Sequence, residues 1–173
     1  MVGYGPVGQA VTRLLQDNHI APTIIELNRD TVRCLREAGV SAVYGDAHHR
    51  EVLQGAGVDS AGSLILSAAG LPGSAEVIRL ARELNPTIHI LARAARGRES
   101  PVLHQAGAEY VFSGEAEVAL AMTEAILRSL GATPEQIDRE RARVHRDLVG
   151  GPTVAARQDA THGQLEGCKR GER

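Results

Sequence analysis

The chain has 173 residues, 43% hydrophobic and 23% charged, a length that suits one domain with a short appendage and excludes two large ones. Aromatic residues make up 2% and Trp is absent, so the core must be built from Leu, Val, Ile and Ala, and an aromatic platform for single-stranded nucleic acid is excluded. Nineteen basic residues against 21 acidic ones leave a formal charge of -2, which lacks the positive field that phosphate-backbone binding needs, so no nucleic-acid partner is expected.

Lys169 is the sole lysine, which removes Schiff-base and P-loop lysine chemistry from the folded part. Cys34 and Cys168 stand far apart with no metal-binding spacing, arguing for a reducing compartment; Cys34 is read as a buried small apolar residue. No apolar run reaches the roughly 18 to 20 residues needed to span a bilayer, and no signal region follows Met1. A soluble, cytoplasmic chain is expected.

In chain order, Met1-Val2 reads as a strand end, Gly3 to Gly8 as a turn, and Val11, Leu14 and Leu15 as the apolar face of a helix. Strands are expected at Thr23 to Leu27, Ser41 to Tyr44, Ser63 to Ser67, Thr87 to Ala92 and Glu109 to Phe112. Helices between them are expected at Arg29 to Ala38, His49 to Gln54, Ala75 to Leu84 and Pro101 to Ala106, with a long one from Glu115 to Leu130 stopped by Gly131. Strands separated by helical stretches require crossover connections, hence a parallel sheet covered on both faces. The fold class is α/β: a Rossmann-like, doubly wound parallel sheet over residues 1–131 whose first strand is truncated to Met1 and Val2.

Thr133-Pro134-Glu135-Gln136 combines a capping Thr, a first-turn Pro and a Gln able to close a capping box. It opens an appended charged helix in residues 132–149. Its narrow stripe, Ile137, Val144 and Leu148, suits packing on its own domain or on a partner. Residues 150–173 hold too little apolar material to offset ordering entropy, and a disordered tail is expected.

Gly3, Gly5 and Gly8 match the dinucleotide fingerprint: the first for a tight turn, the second for backbone approach to a pyrophosphate, the third for contact between helix and strand. With 19 glycines in the chain roughly 0.2 chance matches are expected, so the context must carry the specificity. A helix follows at once, offering its free amides and dipole to phosphate, and Glu26 stands at a strand end at the ribose-binding distance. Glu26 would accept ribose hydroxyls and favour NAD over NADP; Arg29 pulls the other way, because an Arg beyond the acidic residue can receive a 2′-phosphate.

The runs Gly3-Tyr4-Gly5-Pro6-Val7-Gly8, Ile25-Glu26-Leu27-Asn28, Tyr44-Gly45-Asp46-Ala47 and Leu64-Ile65-Leu66-Ser67-Ala68 resemble the RCK N-terminal (TrkA-N type) family. These are cytoplasmic regulatory domains of potassium channels, potassium uptake systems and Kef-type cation:proton antiporters, the last being nearest to this pattern. The order continues through Ile90 to Ala94 and Ala106 to Val111, so the resemblance covers about residues 1–130.

The resemblance implies a ligand-sensing module that gates ion flux and performs no catalysis. Its site residues would be Gly3, Tyr4, Gly5, Pro6, Val7 and Gly8 for phosphate, and Glu26 with Leu27, Asn28 and Arg29 for ribose. Gly45, Asp46 and Ala47 would border the adenine, Ser67 and Ala68 would line the crevice where strand order reverses, and Arg93 would reach a phosphate or a neighbouring subunit. The implied ligand is NAD or NADH, with AMP or ATP as further candidates. The implied partners are a second copy of the domain, through a long helix carrying Val118, Ile126 and Leu130, and a membrane-embedded cation transporter or channel at the inner face of the cell membrane.

The family has a full first strand where this chain has two residues, so the neighbouring strands are expected to lose ladder partners and expose apolar surface, as in a truncated antiporter tail. An NAD-dependent oxidoreductase or epimerase fragment is the alternative function. It lacks a Tyr followed four positions later by Lys, and no chain remains for a second catalytic domain. The adjacent His48 and His49 beside Asp46 could suggest a metal site, but neighbouring residues on a helix point apart and no third ligand has suitable spacing, so no metal is expected.

Overall fold

The computed structural model describes residues 1–149. The expected tail from residue 150, with Cys168 and Lys169, lies outside the described residues.

Pro6 at the first helical position opens α1 (Pro6–Asp17), where its missing N–H has no helical partner to lose. The chain then alternates through β1 (Ile24–Glu26), α2 (Arg29–Glu37), β2 (Ala42–Tyr44), α3 (Arg50–Gly55), β3 (Ser63–Leu66), α4 (Ser74–Leu84) and β4 (His89–Ala94). A 3-10 turn at Gly97–Glu99 leads into α5 (Ser100–Ala106), β5 (Tyr110–Ser113), α6 (Gly114–Ser129) and α7 (Pro134–Val149). The elements whose bounds were read from sequence fall within two residues of them; the 3-10 turn was not expected.

All strand pairs are parallel: β1 with β2, and β3 with β4 followed by β5. Val2 joins the two groups by bridging Ile25 on one side and Leu66 on the other. The spatial order is therefore β2, β1, Val2, β3, β4, β5, and the direction of winding reverses at Val2, as in doubly wound sheets. The first strand is reduced to one bridged residue, yet its neighbours keep their partners, contrary to the sequence expectation. Val2 N–H donates to Ile65 O at 2.8 Å and Ser67 N–H to Val2 O at 3.1 Å, while Gly3 N–H donates to Ile25 O at 2.9 Å and Ile25 N–H to Met1 O at 2.8 Å. Because β1 and β3 are themselves short, four bonds complete their inner edges, and Ile24, Ile25, Leu64 and Leu66 stay buried.

Two apolar clusters flank the sheet. Ile24 packs with Val32, Leu35 and Ala42, whereas its neighbour Ile25 joins Val2, Leu66, Ile78 and Ile90 in the larger cluster. Alternate residues of β1 thus bury opposite faces, as the two-residue period requires. Towards β4 and β5 the burial alternates between full and partial, so one face there is only half covered.

Three local expectations change. In α1 the residues facing the sheet are Gly8 and Thr12, while Leu14 is exposed; close contact at Gly8 sets the helix rotation and turns Leu14 outwards. Cys34 is exposed on α2, because Val32 and Leu35 occupy the inward positions. On α7, Ile137 is buried and Val144 half-buried, so the helix packs on α6, the 3-10 turn and β5. The capping box forms as expected: Thr133 N–H donates to Gln136 Oε1 at 2.9 Å, and Gln136 N–H to Thr133 Oγ1 at 3.4 Å.

Candidate nucleotide site

A cleft of about 320 Å³ opens at the carboxyl ends of the strands, over Val2, where the reversal of strand order leaves a crevice. Of the residues picked from sequence, Gly3, Tyr4, Gly5, Pro6, Val7, Glu26, Leu27, Gly45, Asp46, Ala47, Ser67, Ala68 and Arg93 line it. Gly8, Asn28 and Arg29 do not.

The three glycines differ in their surroundings. Gly3 has φ +91°, a conformation that side-chain-bearing residues avoid, and a Cβ there would stand 3.0 Å from Ala68 Cβ. A Cβ on Gly8 would lie 2.4 Å from Gly3 O and 2.9 Å from Ser67 Oγ, which is why Gly8 is buried under the turn and away from the cleft. At Gly5 nothing lies within 4 Å of that position; this side of the turn is open to the cleft. Gly5 caps α1 without any side-chain hydrogen bond. The amides of Val7 and Gly8, in the first helical turn, have no carbonyl four residues back inside the helix. This terminus presents N–H groups and the positive end of the helix dipole to an anion.

Glu26 closes the other side. Its Oε2 accepts from Tyr4 N–H at 2.8 Å, and its Oε1 from Leu27 N–H at 2.8 Å and Asn28 N–H at 3.0 Å. The carboxylate is clamped by backbone and ties the glycine turn to the end of β1, yet two oxygens with about four acceptor sites retain capacity for sugar hydroxyls. The Tyr4 amide is engaged here and is withdrawn from phosphate.

Asn28 is the N-cap of α2, its Oδ1 accepting from Thr31 N–H at 3.0 Å, so helix capping takes it out of the cleft. The Arg29 guanidinium lies 4.7 Å from the ring centroid of Tyr44, a cation–π arrangement that turns it away. Ser67, buried, donates its hydroxyl to the carbonyls of Val2 and Gly3 at 3.0 and 2.9 Å. It forms floor and braces the turn.

Sequence reasoning missed Val2, Ile25, Ala69 and Leu71 as lining residues. Val2 and Ile25 were legible as strand residues but carry no polar signal, and Ala69 and Leu71 belong to a loop that only tertiary placement brings over the cleft. A second cavity, of about 500 Å³, adjoins through Leu71 and Arg93 and runs past Arg98 towards Val102. Among the described residues no cluster of three or more potential metal ligands assembles, and no helix is long and apolar enough to cross a membrane.

Comparison with known proteins gives a consistent family. The family model described as TrkA-N domain matches residues 1–114. The crystal structure of the TrkA-N domain of inner membrane protein ybaL from Escherichia coli is 39% identical, covering 72% of this chain and 92% of that one with a TM-score of 0.69. The GsuK channel bound to NAD is 25% identical over 69% of this chain and 21% of that one, with a TM-score of 0.61. The Kef CTD of Shewanella denitrificans in AMP-bound form, 23% identical over 87% of this chain and 96% of that one, shares the fold at a TM-score of 0.66.

Proposed function

Because this chain belongs to the TrkA-N domain family, we propose that its cleft is a nucleotide sensor that binds NAD or NADH, with AMP or ATP as competitors for the same place. The observation that carries this reading is the pairing of an open Gly5 turn at the α1 N-terminus with the clamped Glu26 carboxylate at the cleft mouth. Phosphates sit on the amides of Gly5 and Val7, the ribose diol on Glu26, and the adenine beside Asp46 and Ala47. A dinucleotide continues past Arg93 into the adjoining cavity, whereas a mononucleotide stops short of it. The NAD named for the GsuK channel supports this ligand class.

The protein acts as a switch without bond-breaking. The hydroxyl nearest the cleft floor, Ser67, is tied to the turn, and the cleft's carboxylates serve as hydrogen-bond acceptors. Residues 1–131 form the sensing unit and residues 132–149 an appended helix. The unit works at the inner face of the cell membrane, coupled to a cation transporter or channel, a placement supported by the inner membrane protein among its relatives. It pairs with a second copy through α6, whose Val118, Met122, Ile126 and Leu130 are all exposed. Nucleotide shifts the transporter only by its differential affinity for the two transport states, typically about 1–3 kcal/mol.

Titration calorimetry tests the reading. NAD or NADH is expected to bind the full chain, and Glu26→Ala to weaken it by roughly tenfold or more, the loss of charge-assisted hydrogen bonds to the diol. If NAD, NADH, AMP and ATP all produce no heat of binding, the sensor reading fails. Hydride transfer from NADH to an added substrate would instead select the oxidoreductase alternative.

A further inference from the structure

Beside the nucleotide cleft, α2 and the end of β2 form a groove of about 410 Å³ that gathers Arg29, Arg33 and Arg36 with Glu37 and Tyr44. Two of the three guanidiniums are committed to polar partners. Arg33 pairs with Asp30 at 3.0 Å and with Glu37 at 3.9 Å, and Arg36 Nε donates to the Ala42 carbonyl at 2.9 Å. Arg29 instead lies over the Tyr44 ring, 4.7 Å from its centroid. Both residues are exposed, so a ring face at the water boundary holds this cation in the groove.

What Arg29 is held away from gives the contact its meaning. It is the first residue of α2, three positions beyond Glu26 at the end of β1. Its Cα therefore stands at most about 11 Å from that of Glu26, a span that two long side chains close between them. Glu26 is the proposed acceptor of the ribose diol. A 2′-phosphate on that ribose meets a carboxylate fixed by the amides of Tyr4, Leu27 and Asn28, which cannot swing aside. Accommodating it takes a nearby arginine, and Arg29 is the arginine closest to Glu26 along the chain.

We infer that Tyr44 is a specificity-determining residue of the nucleotide cleft: by holding the Arg29 guanidinium over its ring it withholds the cation that would neutralise a 2′-phosphate, so the cleft takes NADH in preference to NADPH. The inference rests on the nucleotide reading of the cleft. Glu26 supplies the repulsion, and Tyr44 withdraws the compensation. Neither Arg29 nor Tyr44 lines the cleft, so Tyr44 acts through Arg29 and leaves the binding of the unphosphorylated dinucleotide alone. Without the ring, Arg29 shares the groove with the cations of Arg33 and Arg36 and with Glu37, which Arg33 already engages. Like charges then favour its departure towards an anion.

The test is titration of the full chain with NADH and with NADPH, each followed by the fluorescence of the reduced nicotinamide ring that the two ligands share. The wild type is expected to bind NADH more tightly. Tyr44→Leu keeps an apolar side chain at the end of β2 but has no π face. It is expected to bind NADPH about threefold more tightly than the wild type does, the equivalent of one exposed cation–π contact, with NADH affinity unchanged. Tyr44→Phe keeps the ring face and is expected to retain the wild-type preference. Adding Arg29→Ala to Tyr44→Leu is expected to abolish the gain, whereas Arg29→Ala alone leaves both affinities as they were. A merely structural role for Tyr44 would instead move NADH and NADPH together, and that result overturns the inference. So do an NADPH affinity that Tyr44→Leu leaves unchanged, a gain that survives the loss of Arg29, the same gain in Tyr44→Phe, and a wild type that prefers NADPH. Weaker NADPH binding in Arg29→Ala alone overturns it too, since Arg29 would then already reach the phosphate. Each of these leaves the nucleotide reading standing, whereas a wild type that binds neither ligand overturns both.

Discussion

Gly5 and Gly8 carry the same side chain, yet the structure assigns them opposite sensitivities. Gly8→Ala drives a Cβ to 2.4 Å from the Gly3 carbonyl oxygen, a backbone atom that cannot rotate away, and is expected to destabilise the protein by about 1–3 kcal/mol, as overpacking does. Gly5→Ala meets no protein atom within 4 Å, so thermal unfolding is expected to match the wild type while NAD binding weakens, because the new methyl occupies the side of the turn that phosphate approaches. Melting curves and calorimetry on the two variants separate these outcomes. The spacing of the glycines was legible because it reflects local backbone demands. The diversion of Asn28 to a helix cap and of Arg29 to Tyr44 was not, since a second use for a polar side chain shows only once its neighbours are in place.

At the level of elements, the end of the sheet opposite the cleft is held by Asn85. Its Nδ2 donates to the carbonyls of Val58 at 3.1 Å and Ala61 at 2.9 Å, and its Oδ1 accepts from Thr87 N–H at 3.2 Å and Oγ1 at 3.0 Å. All four capacities of the amide are met. Asn85→Ala leaves the buried Val58 carbonyl without this donor and is expected to cost about 1–3 kcal/mol in chemical denaturation, with NAD affinity unchanged because the residue is remote from the cleft. Helix α6 presents the reverse case, Ala116 and Leu120 inward and a row of exposed Val118, Met122, Ile126 and Leu130 outward. In the proposed dimer this row is the contact, so Ile126→Asp is expected to yield monomers in sedimentation velocity without lowering the melting temperature; a wild-type chain that sediments as a monomer removes the contact. The helical period made α6 readable from sequence as apolar on more than one side, but which row the core takes depends on how β5 delivers the helix.

On the scale of the whole molecule, the pair His48–Asp46, with ring Nδ1 2.6 Å from Asp46 Oδ1, links folding to pH. The folded protein holds the His48 proton above its ordinary value of 6.5, so that contribution to stability is complete below about 6.5 and fades as pH rises through the higher folded value. Asp46 is lowered from 3.8, so its contribution is present above about 4 and fades as pH falls through the lower folded value. The stability difference between wild type and His48→Asn is therefore expected to be largest between about pH 4 and 6.5 and to shrink on the alkaline side, as read from denaturant midpoints along a pH series. A difference that stays constant up to about pH 9, beyond an ordinary His titration, contradicts the assignment.

The alternation of strand and helix, the glycine turn, the acidic residue at the end of β1 and the parallel sheet were all determined by the chain alone, because each depends on propensity or spacing within a few dozen residues. Long-range assembly decided the rest. Val2 completes two strand edges only because β1 and β3 arrive on either side of it. Leu71 walls the cleft, and Gly73 meets His48, only because the loop after β3 folds over the loop after β2. Contacts between residues more than twenty positions apart depend on where the sheet sets them, and no local pattern encodes that distance.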